Sequence, residues 1–287
     1  RTADLRPCWR MKWQEVVGLI RFTEAEFQEL EQFMLSQYGI DLSKKRTLSE
    51  CRLSAELEKE GITSLQQFMR RMEQDKTKRL ENMMLDKLTT NYTFFMRESK
   101  HFDYLRENIL PTLRQDNTGP FYRVWSAGCS TGEECYTLSM LFHDYTRQGG
   151  FLPFLEITGT DASEAAVKGA KEAVYPMREL ADIPPRWQEK YVKKLDGNRH
   201  FTLTPEILNC CKFRQMNLLG TVPGVAQFDL IFCRNVMIYF SEDARERLIG
   251  QLYRALKPGG YLFVGHTELL AWNSAQFQYI CPAVYRK

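Results

Sequence analysis

Residues 123–136, RVWSAGCSTGEECY, combine the residue types needed to hold a polar ligand against backbone N–H groups. The segment begins with β-prone apolar residues, turns through small residues and starts a helix at Glu133. At such a strand–turn–helix junction, the N–H groups of the turn and of the first helical turn can face a ligand closely. The spacing Gly128-x-x-x-Gly132 is not the full dinucleotide fingerprint, so an ordinary tight turn is the alternative interpretation.

A carboxylate ends the next predicted strand. Residues 155–160 are β-prone, Asp161 follows them, and Ser163 can cap the helix that comes after. Nucleotide-binding α/β domains hold a ribose through an acidic residue at this point of the second strand. A carboxylate can accept hydrogen bonds from two hydroxyl groups at once. We therefore predict that Asp161 binds a ribose, with a simple turn residue as the alternative.

A third set of polar side chains precedes the first strand. Residues 88–102, LTTNYTFFMRESKHF, place Asn91, Thr93 and Arg97 among aromatic residues. A core helix carrying Phe94 and Phe95 would need no function. Polar groups on an aromatic-rich segment can instead line a pocket.

The elements that position these residues alternate between strands and helices. Further strands are predicted at 210–216, at 228–233 and, after a tight turn at 257–260, at 261–264, with a helix from Ser241 to about residue 256. A last strand or hairpin is predicted within 277–285. This order implies a doubly wound, mostly parallel sheet with helices on both faces. Ligands bind at the carboxyl ends of such strands, where Gly128, Asp161, Asn217 and Asn235 all fall.

Two segments depart from this alternation. Thr23 with Glu26, and Ser64 with Gln67, predict capped helices, and no strand signal occurs before about residue 120. We therefore predict a helical domain at 1–90, a connecting segment at 91–120 that contributes to the pocket, and an α/β domain at 121–287. Residues 114–120 are expected to be a linker. Asp196-Gly197 predicts a hairpin within a small antiparallel β insertion at about 176–209.

Composition excludes several classes of protein. The chain has 287 residues, 44% hydrophobic and 26% charged, which suits a soluble chain with a substantial core. A net charge of +3 is too small to indicate a nucleic-acid binder. No apolar run is long enough to span a bilayer, and no apolar segment behind a basic start predicts a secretory signal. The eight cysteines form no C-x-x-C, so we expect reduced thiols, a cytoplasmic location and no metal site. The first residue is Arg1 rather than Met, which leaves the origin of this start open.

Four segments together resemble the CheR family of chemotaxis receptor glutamate methyltransferases, which are class I S-adenosylmethionine-dependent methyltransferases. They are NYTFFMRE, SAGCSTGEECYTL, FCRNVMIYF and LKPGGYLFVGHTE. FCRNVMIYF combined with STGEE is specific to this family, and the likeness runs from about residue 20 to the end. The resemblance implies an α/β, Rossmann-like, doubly wound and mostly parallel sheet. It also implies a small antiparallel β insertion and an all-helical N-terminal domain.

The resemblance further implies the residues of the site. Arg97 and Tyr239 resemble the residues placed near the reacting carboxylate. The family's glutamate near the methionine part of the cofactor matches either Glu133 or Glu134, although both could simply favour the helix dipole. The residues implied to bind S-adenosylmethionine are Asn91, Thr93, Arg97, Gly128, Glu133, Glu134, Asp161, Asn217, Leu218, Asn235 and Val236.

The implied reaction methylates the γ-carboxylate of glutamates in the cytoplasmic methylation helices of chemoreceptors and releases S-adenosyl-L-homocysteine. Because such a carboxylate is ionised at pH 7, with a reference pKa of ~4.3, no general base is needed. A basic cluster of Lys44, Lys45 and Arg46 could steer association with a glutamate-rich helix, or it could be an ordinary solvated surface. The β insertion could bind a receptor C-terminal tail. We expect a monomer with no nucleic-acid partner and no membrane insertion.

Three other functions compete with this one. The chain could methylate RNA, a small molecule or another protein, although Arg234-Asn235-Val236-Met237 lacks the N/D-P-P-Y/F pattern of many amino-group methyltransferases. It could be a non-catalytic S-adenosylmethionine-binding signalling module, which retention of Arg97 and Tyr239 argues against. Nicotinamide-dependent oxidoreduction fits the strand–turn–helix but not FCRNVMIYF.

Overall fold

The computed structural model describes residues 19–113, 119–220, 224–270 and 276–287. The chain divides into two compact units. The first comprises the described residues up to Gln32 together with Leu42–Leu88, and the second comprises Phe33–Asp41 with Thr89–Lys287. Arg1 and Cys8, and most of the predicted linker at 114–120, lie outside the described residues.

The first unit is helical. Its helices are α1 (Glu24–Tyr38, whose last turns belong to the second unit), α2 (Arg46–Lys59), α3 (Leu65–Gln74) and α4 (Arg79–Leu88). The predicted capping box begins α1, because Glu26 accepts from Thr23 N at 2.8 Å and Thr23 Oγ1 accepts from Glu26 N at 3.2 Å. Ser64 caps α3 by accepting from Gln67 N at 3.2 Å. The sequence therefore predicted the starts of both helices.

A seven-stranded sheet organises the second unit, in the strand order β6-β2-β1-β7-β8-β10-β9. Strands β1, β2, β6, β7 and β8 pair in parallel, and β10 pairs antiparallel with both β8 and β9. The strands of this sheet are β1 (Phe121–Ala127), β2 (Phe154–Asp161), β6 (Cys211–Gln215), β7 (Phe228–Cys233), β8 (Leu256–Val264), β9 (Gln278–Cys281) and β10 (Val284–Arg286). The predicted doubly wound, mostly parallel sheet is confirmed.

Both faces of this sheet are buried. All six residues of β7 are buried, as expected for a central parallel strand. Leu230 and Phe232 join one core cluster, whereas Ile231 and Cys233 join the other. Alternate residues of a strand point to opposite faces, so hydrophobic layers lie on both sides of β7. The helices of the second unit are α5 (Lys100–Tyr104), α6 (Glu133–Arg147), α7 (Glu164–Glu172), α8 (Pro185–Tyr191), α9 (Pro205–Leu208) and α10 (Glu242–Ala255).

The predicted β insertion is a separate three-stranded sheet. Its strand order is β3-β5-β4, and both pairings are antiparallel. The strands are β3 (Tyr175–Pro176), β4 (Val192–Leu195) and β5 (His200–Leu203). Gly197, at φ +62°, lies in the short turn between β4 and β5, as the Asp-Gly pair predicts.

Residues 257–260 contradict one prediction, because they form part of β8 and not a tight turn. Phe228 pairs with Leu256 but Leu230 pairs with Tyr261, so β8 bulges between these positions. Gly259 adopts φ +80°, and a Cβ on Gly260 would lie 2.9 Å from the carbonyl oxygen of Asp229. The two glycines therefore permit a bulge with close backbone contact, and the Pro-Gly-Gly pattern alone does not distinguish that from a turn.

Residues 91–94 have no regular secondary structure and residues 95–99 form turns, so this segment is not a core helix. Met96 and Glu98 adopt positive φ angles of 59° and 56°, which is uncommon for residues other than glycine. Among the described residues, no helix has the length and apolar character that crossing a membrane requires.

Candidate functional site at the carboxyl edge of the sheet

Four predicted site residues follow adjacent parallel strands. Gly128 comes directly after β1, Asp161 ends β2, and Asn217 and Asn235 each come two residues after a strand, β6 and β7 respectively. Because β6, β2, β1 and β7 are neighbours in the sheet, these residues share its carboxyl edge. This arrangement agrees with the sequence-based expectation.

The turn after β1 is folded tightly over the end of β2. The N–H groups of Gly128 and Cys129 both donate to the carbonyl oxygen of Thr160, at 2.8 and 2.9 Å. Gly128 has φ +86°, and a Cβ built on it would lie 2.3 Å from Val236 Cγ2. Any other residue would be strained and would also clash, so glycine lets this turn approach the loop after β7 closely.

Asp161 fixes the shape of that turn. Its Oδ2 accepts from Ser130 N and its Oδ1 from Ser163 N, both at 2.9 Å. Ser130 Oγ donates to the carbonyl oxygen of Asn91 at 2.8 Å, which ties the segment before β1 to the turn. The two oxygens of Asp161 thus hold one N–H group in the turn after β1 and one at the start of the helix after β2.

A buried arginine, to which the sequence analysis gave no role, links the next group of residues. The Arg234 side chain is 2% exposed. Its Nη2 lies 3.2 Å from Glu98 Oε2 and its Nη1 3.1 Å from Glu134 Oε2. Nη2 also donates to the carbonyl oxygen of Arg97. The guanidinium carbon is 5.7 Å from the ring centroid of Phe232, close enough for a cation–π contact.

Burial and Arg234 act in opposite directions on the pKa values of Glu98 and Glu134. Burial raises the pKa of Glu134, although Arg234 and a hydrogen bond from Ser126 act in the opposite direction. Burial also disfavours the ionised form of Glu98, but its neighbours, first among them Arg234 and then Asn235, together outweigh burial, so the pKa of Glu98 is below its ordinary value. Desolvation lowers the pKa of the neighbouring His101 to about 3. His101 is therefore neutral at pH 7.

The two candidate glutamates point to different partners. Glu134 Oε1 accepts from Ser126 Oγ at 2.8 Å, and its other oxygen meets Arg234. Both carboxylate oxygens of Glu133 instead accept from Thr131 Oγ1 at 2.8 Å. Burial raises the pKa of Glu133 to about 7. Of the two, only Glu134 joins the Arg234 network.

The segment before α5 carries the other predicted side chains. Arg97 is half-buried, and its Nη1 donates to the carbonyl oxygen of Tyr92 at 2.8 Å. Met96 N donates to Thr137 Oγ1 at 3.2 Å, which anchors the segment to α6. Asn91 and Thr93 are both half-buried. The segment thus combines a fixed backbone with partly accessible polar side chains.

The buried carboxylate of Glu268, for which the sequence predicted no role, fixes the loop after β7. Glu268 is 5% exposed and accepts from three backbone N–H groups. Its Oε2 accepts from Asn235 N at 2.5 Å and Gly265 N at 2.9 Å, and its Oε1 from Ile238 N at 3.1 Å. Asn235 itself has φ +59°. Tyr239, later in the loop, is half-buried, and its carbonyl oxygen accepts from Asp41 N at 2.9 Å.

Asn217 lies at the same edge, but its side chain bonds to backbone groups. Its Nδ2 donates to the carbonyl oxygen of Gln37 at 2.7 Å, and its Oδ1 accepts from Leu219 N at 3.0 Å. Leu218 is 6% exposed and belongs to the hydrophobic core. Asn217 and Leu218 therefore both lie near this edge, where the Asn217 side chain holds the backbone by hydrogen bonds.

A cleft of about 570 Å³ lies at the opposite end of the sheet, beside the first residues of β1, β7 and β8. Its polar groups are already paired: Lys257 Nζ lies 2.7 Å from Asp229 Oδ1, and Arg286 Nε donates to the carbonyl oxygen of Gly259 at 3.0 Å. We assign the site to the carboxyl edge, because there the predicted polar residues converge.

Comparison with known proteins gives matches over both units. Residues 91–285 match the family model described as CheR methyltransferase, SAM binding domain, and residues 25–89 match the CheR methyltransferase all-alpha domain. A chemotaxis protein methyltransferase of Borreliella burgdorferi is 36% identical over 273 residues, covering 93% of this chain and 96% of that protein. A relative with that name in Pseudomonas aeruginosa is 35% identical over 251 residues, covering 86% and 90%. Another in Escherichia coli is 32% identical over 274 residues, covering 93% and 92%.

Proposed function

Because this chain belongs to the CheR family of methyltransferases, we propose that it methylates the γ-carboxylates of glutamates in chemoreceptor cytoplasmic helices. The chain is an S-adenosylmethionine-dependent methyltransferase. The observation that carries the proposed substrate is similarity to chemotaxis protein methyltransferases over 93% of the chain, which includes the helical domain. Glutamate methyl esters on receptors would serve adaptation in chemotaxis.

The carboxyl edge of the sheet fits this cofactor. Gly128 lets the turn after β1 pack against Val236, and a small-residue turn between the first strand and its helix is where such folds bring a ligand close to the backbone. Asp161 would accept hydrogen bonds from the ribose hydroxyls, and the Arg234 network supports Glu134 over Glu133 beside the methionine part. The other residues that would hold the cofactor are Asn91, Thr93, Arg97, Asn217, Leu218, Asn235 and Val236.

When bound, S-adenosylmethionine supplies a methyl group on a positively charged sulfur and leaves as S-adenosyl-L-homocysteine. The work of the chain is to bring an ionised carboxylate to that methyl group, exclude water and align the two. Arg97 would attract the incoming carboxylate, and Tyr239 would orient it by a hydrogen bond. A carboxylate needs no general base at pH 7, so the site needs no histidine in that role.

Three parts of the chain would have separate tasks. We propose that the helical domain at 1–90 binds the methylation helices, that residues 91–120 complete the cofactor pocket, and that residues 121–287 carry the chemistry. The antiparallel insertion at 176–209 would bind a receptor C-terminal tail. The enzyme would work as a monomer in the cytoplasm.

The test is incubation with methyl-labelled cofactor and a panel of receptor cytoplasmic fragments. We expect label on receptor protein that is released as methanol in mild base, because carboxyl methyl esters hydrolyse there and N-methyl groups do not. Cofactor binding without transfer to any fragment would instead indicate a signalling module. Base-stable label would indicate a different acceptor. Either result would refute the proposed substrate.

A further inference from the structure

His101 is an exception to the usual pairing of buried polar groups. Its side chain is buried, and within the described part of the chain neither ring nitrogen has a hydrogen-bond partner. Glu98 Oε2 lies 3.5 Å from its Nδ1. Most buried polar side chains in proteins are paired with protein, water or an ion, so the groups that surround this ring indicate which partner it takes.

A second histidine lies beside this unpaired ring. His266 Nδ1 is 3.9 Å from the same Glu98 oxygen, and the two imidazole centroids are 4.7 Å apart. One donor atom from each of the three residues lies within 4.8 Å of the others. Zinc bonds of ~2.0–2.2 Å place tetrahedral ligand atoms about 3.3 Å apart. Side-chain movements of less than about 1 Å would therefore bring these atoms to ligand distances.

We propose that Glu98, His101 and His266 form a binding site for a divalent transition-metal ion of the zinc class. Two imidazoles and one carboxylate make a three-ligand set that leaves a position open. Imidazole selects zinc, cobalt, nickel or copper over magnesium and calcium. His266 has a side chain 46% exposed, which gives an ion access to the buried His101.

The position of these residues in the fold explains why the sequence did not predict the site. Glu98 and His101 flank the start of α5, whereas His266 follows β8. Histidines this far apart along the chain form no recognisable ligand spacing. The expectation of no metal site rested on the cysteine spacing, and the proposal made here departs from it.

Arg234 limits the affinity of the proposed site. Its Nη2 lies 3.2 Å from Glu98 Oε2, so the ion and the guanidinium group would share the negative charge of that oxygen. Glu98 Oε1 also accepts from Asn235 Nδ2 at 3.2 Å. The ligand set is therefore not reserved for a metal, and we expect weaker binding than in a dedicated zinc enzyme.

The experiment is a titration of the full, reduced chain with Co²⁺, followed by visible absorption, with Zn²⁺ calorimetry in parallel. We expect the ligand-field bands of nitrogen and oxygen coordination, and an affinity at least about tenfold lower in His266→Asn. Because His101 is buried and His101→Phe could affect folding, the exposed His266 provides the decisive variant. His200→Asn is the matched control, since His200 is 44% exposed and lies 3.4 Å from Asp196 Oδ2.

Three results would overturn the proposal. The first is the absence of saturable binding, and the second is equal affinity in the wild type and in His266→Asn. The third is near-ultraviolet thiolate-to-metal bands that disappear in Cys51→Ser, because they would show that the exposed Cys51 binds the metal. An affinity that falls equally in His200→Asn and His266→Asn would also contradict a specific site.

Discussion

Arg97 combines a fixed backbone with a partly accessible charge. Its carbonyl oxygen accepts from the buried Arg234, and its guanidinium group donates to Tyr92 O and lies 5.9 Å from the ring centroid of Phe94. One Arg97 nitrogen is thus used within the protein, and a guanidinium group has five N–H donors in all. This arrangement suits a residue that attracts a carboxylate without moving far.

We predict that Arg97→Ala reduces kcat/KM for receptor methylation by about 100-fold, the size of effect seen when a preorganised charge-stabilising group is removed. Steady-state transfer of labelled methyl groups would measure this loss. The melting temperature of Arg97→Ala should stay close to that of the wild type, because the bond to buried Arg234 is made by the backbone and the side-chain bond to Tyr92 O is exposed. Arg106→Ala is the control, since Arg106 is half-buried like Arg97 and its side chain donates to Gln148 Oε1 at 3.1 Å. Near-wild-type turnover in Arg97→Ala would contradict the assignment.

Glu133 predicts how stability depends on pH. Burial raises its pKa from 4.5 to about 7 in the folded protein. The folded state therefore binds a proton more tightly than the unfolded state, and the stability due to protonated Glu133 is lost as pH rises from 4.5 to 7. Glu133→Gln removes the ionisation. We expect its unfolding free energy, relative to the wild type, to increase by up to ~2.5 kcal/mol between pH 5 and 8.

Urea denaturation at several pH values would measure this difference. Glu164→Gln is the control, because Glu164 occupies the first turn of α7 but is exposed. If the unfolding free energy shows the same pH trend in both variants, or no trend in Glu133→Gln, the pKa of Glu133 is not raised in the folded protein.

The sequence predicted the residues that lie at the strand ends better than it predicted the residues that hold them in place. Gly128, Asp161 and Asn235 were predicted at the carboxyl edge because strand ends can be located from local patterns. Arg234 and Glu268 lie inside the quoted motifs, yet they received no role. Their contacts join residues far apart along the chain, and no local pattern encodes such contacts.

At the scale of elements, local chemistry determined what the sequence could predict. The cap at Thr23 and the apolar run of β7 each need only a few neighbouring residues, and both were predicted. The bulge at 257–260 depends on pairing with β7 and on the backbone of Asp229. Pro-Gly-Gly permits a bulge or a turn, so the choice is made by the neighbouring strand.

The loop after β7 can be tested through Glu268, because this one carboxylate accepts from two backbone N–H groups of the loop and one that follows β8. In Glu268→Gln, an amide NH₂ replaces an oxygen that accepts backbone N–H groups, and the negative charge is lost. Leaving a buried N–H unpaired costs about 1–3 kcal/mol. We therefore expect Glu268→Gln to lower stability by about that amount and to weaken binding of S-adenosyl-L-homocysteine about tenfold, measured by denaturation and by calorimetry.

Glu246→Gln is the matched control, since Glu246 is exposed on α10. Reduced stability with unchanged product affinity would show that Glu268 supports the fold without positioning Asn235. Equal behaviour of the two variants would contradict both parts of the prediction.

At the scale of the whole molecule, the fold class was predictable because alternating elements leave few possible topologies. The helical N-terminal part, the parallel sheet and the antiparallel insertion are all present, and membership of the CheR family is confirmed. The sequence could not assign the basic cluster to one role. Arg46 Nη1 lies 2.6 Å from Glu24 Oε2 and its Nε 3.6 Å from Glu50 Oε1, so part of this cluster stabilises the first unit.

Lys44, by contrast, is exposed, so substituting it can test receptor steering without disturbing the fold. We predict that Lys44→Glu lowers kcat/KM for a glutamate-rich receptor fragment by roughly 3- to 10-fold at low salt, because like charges slow association. The loss should shrink at 1 M salt, where the screening length is only ~3 Å. Affinity for S-adenosyl-L-homocysteine and the melting temperature should not change, whereas Arg46→Glu should lower the melting temperature.

Lys76→Glu, at another exposed lysine of the same unit, is the control. A loss that is independent of salt, or equal in Lys76→Glu, would mean that Lys44 does not steer the receptor.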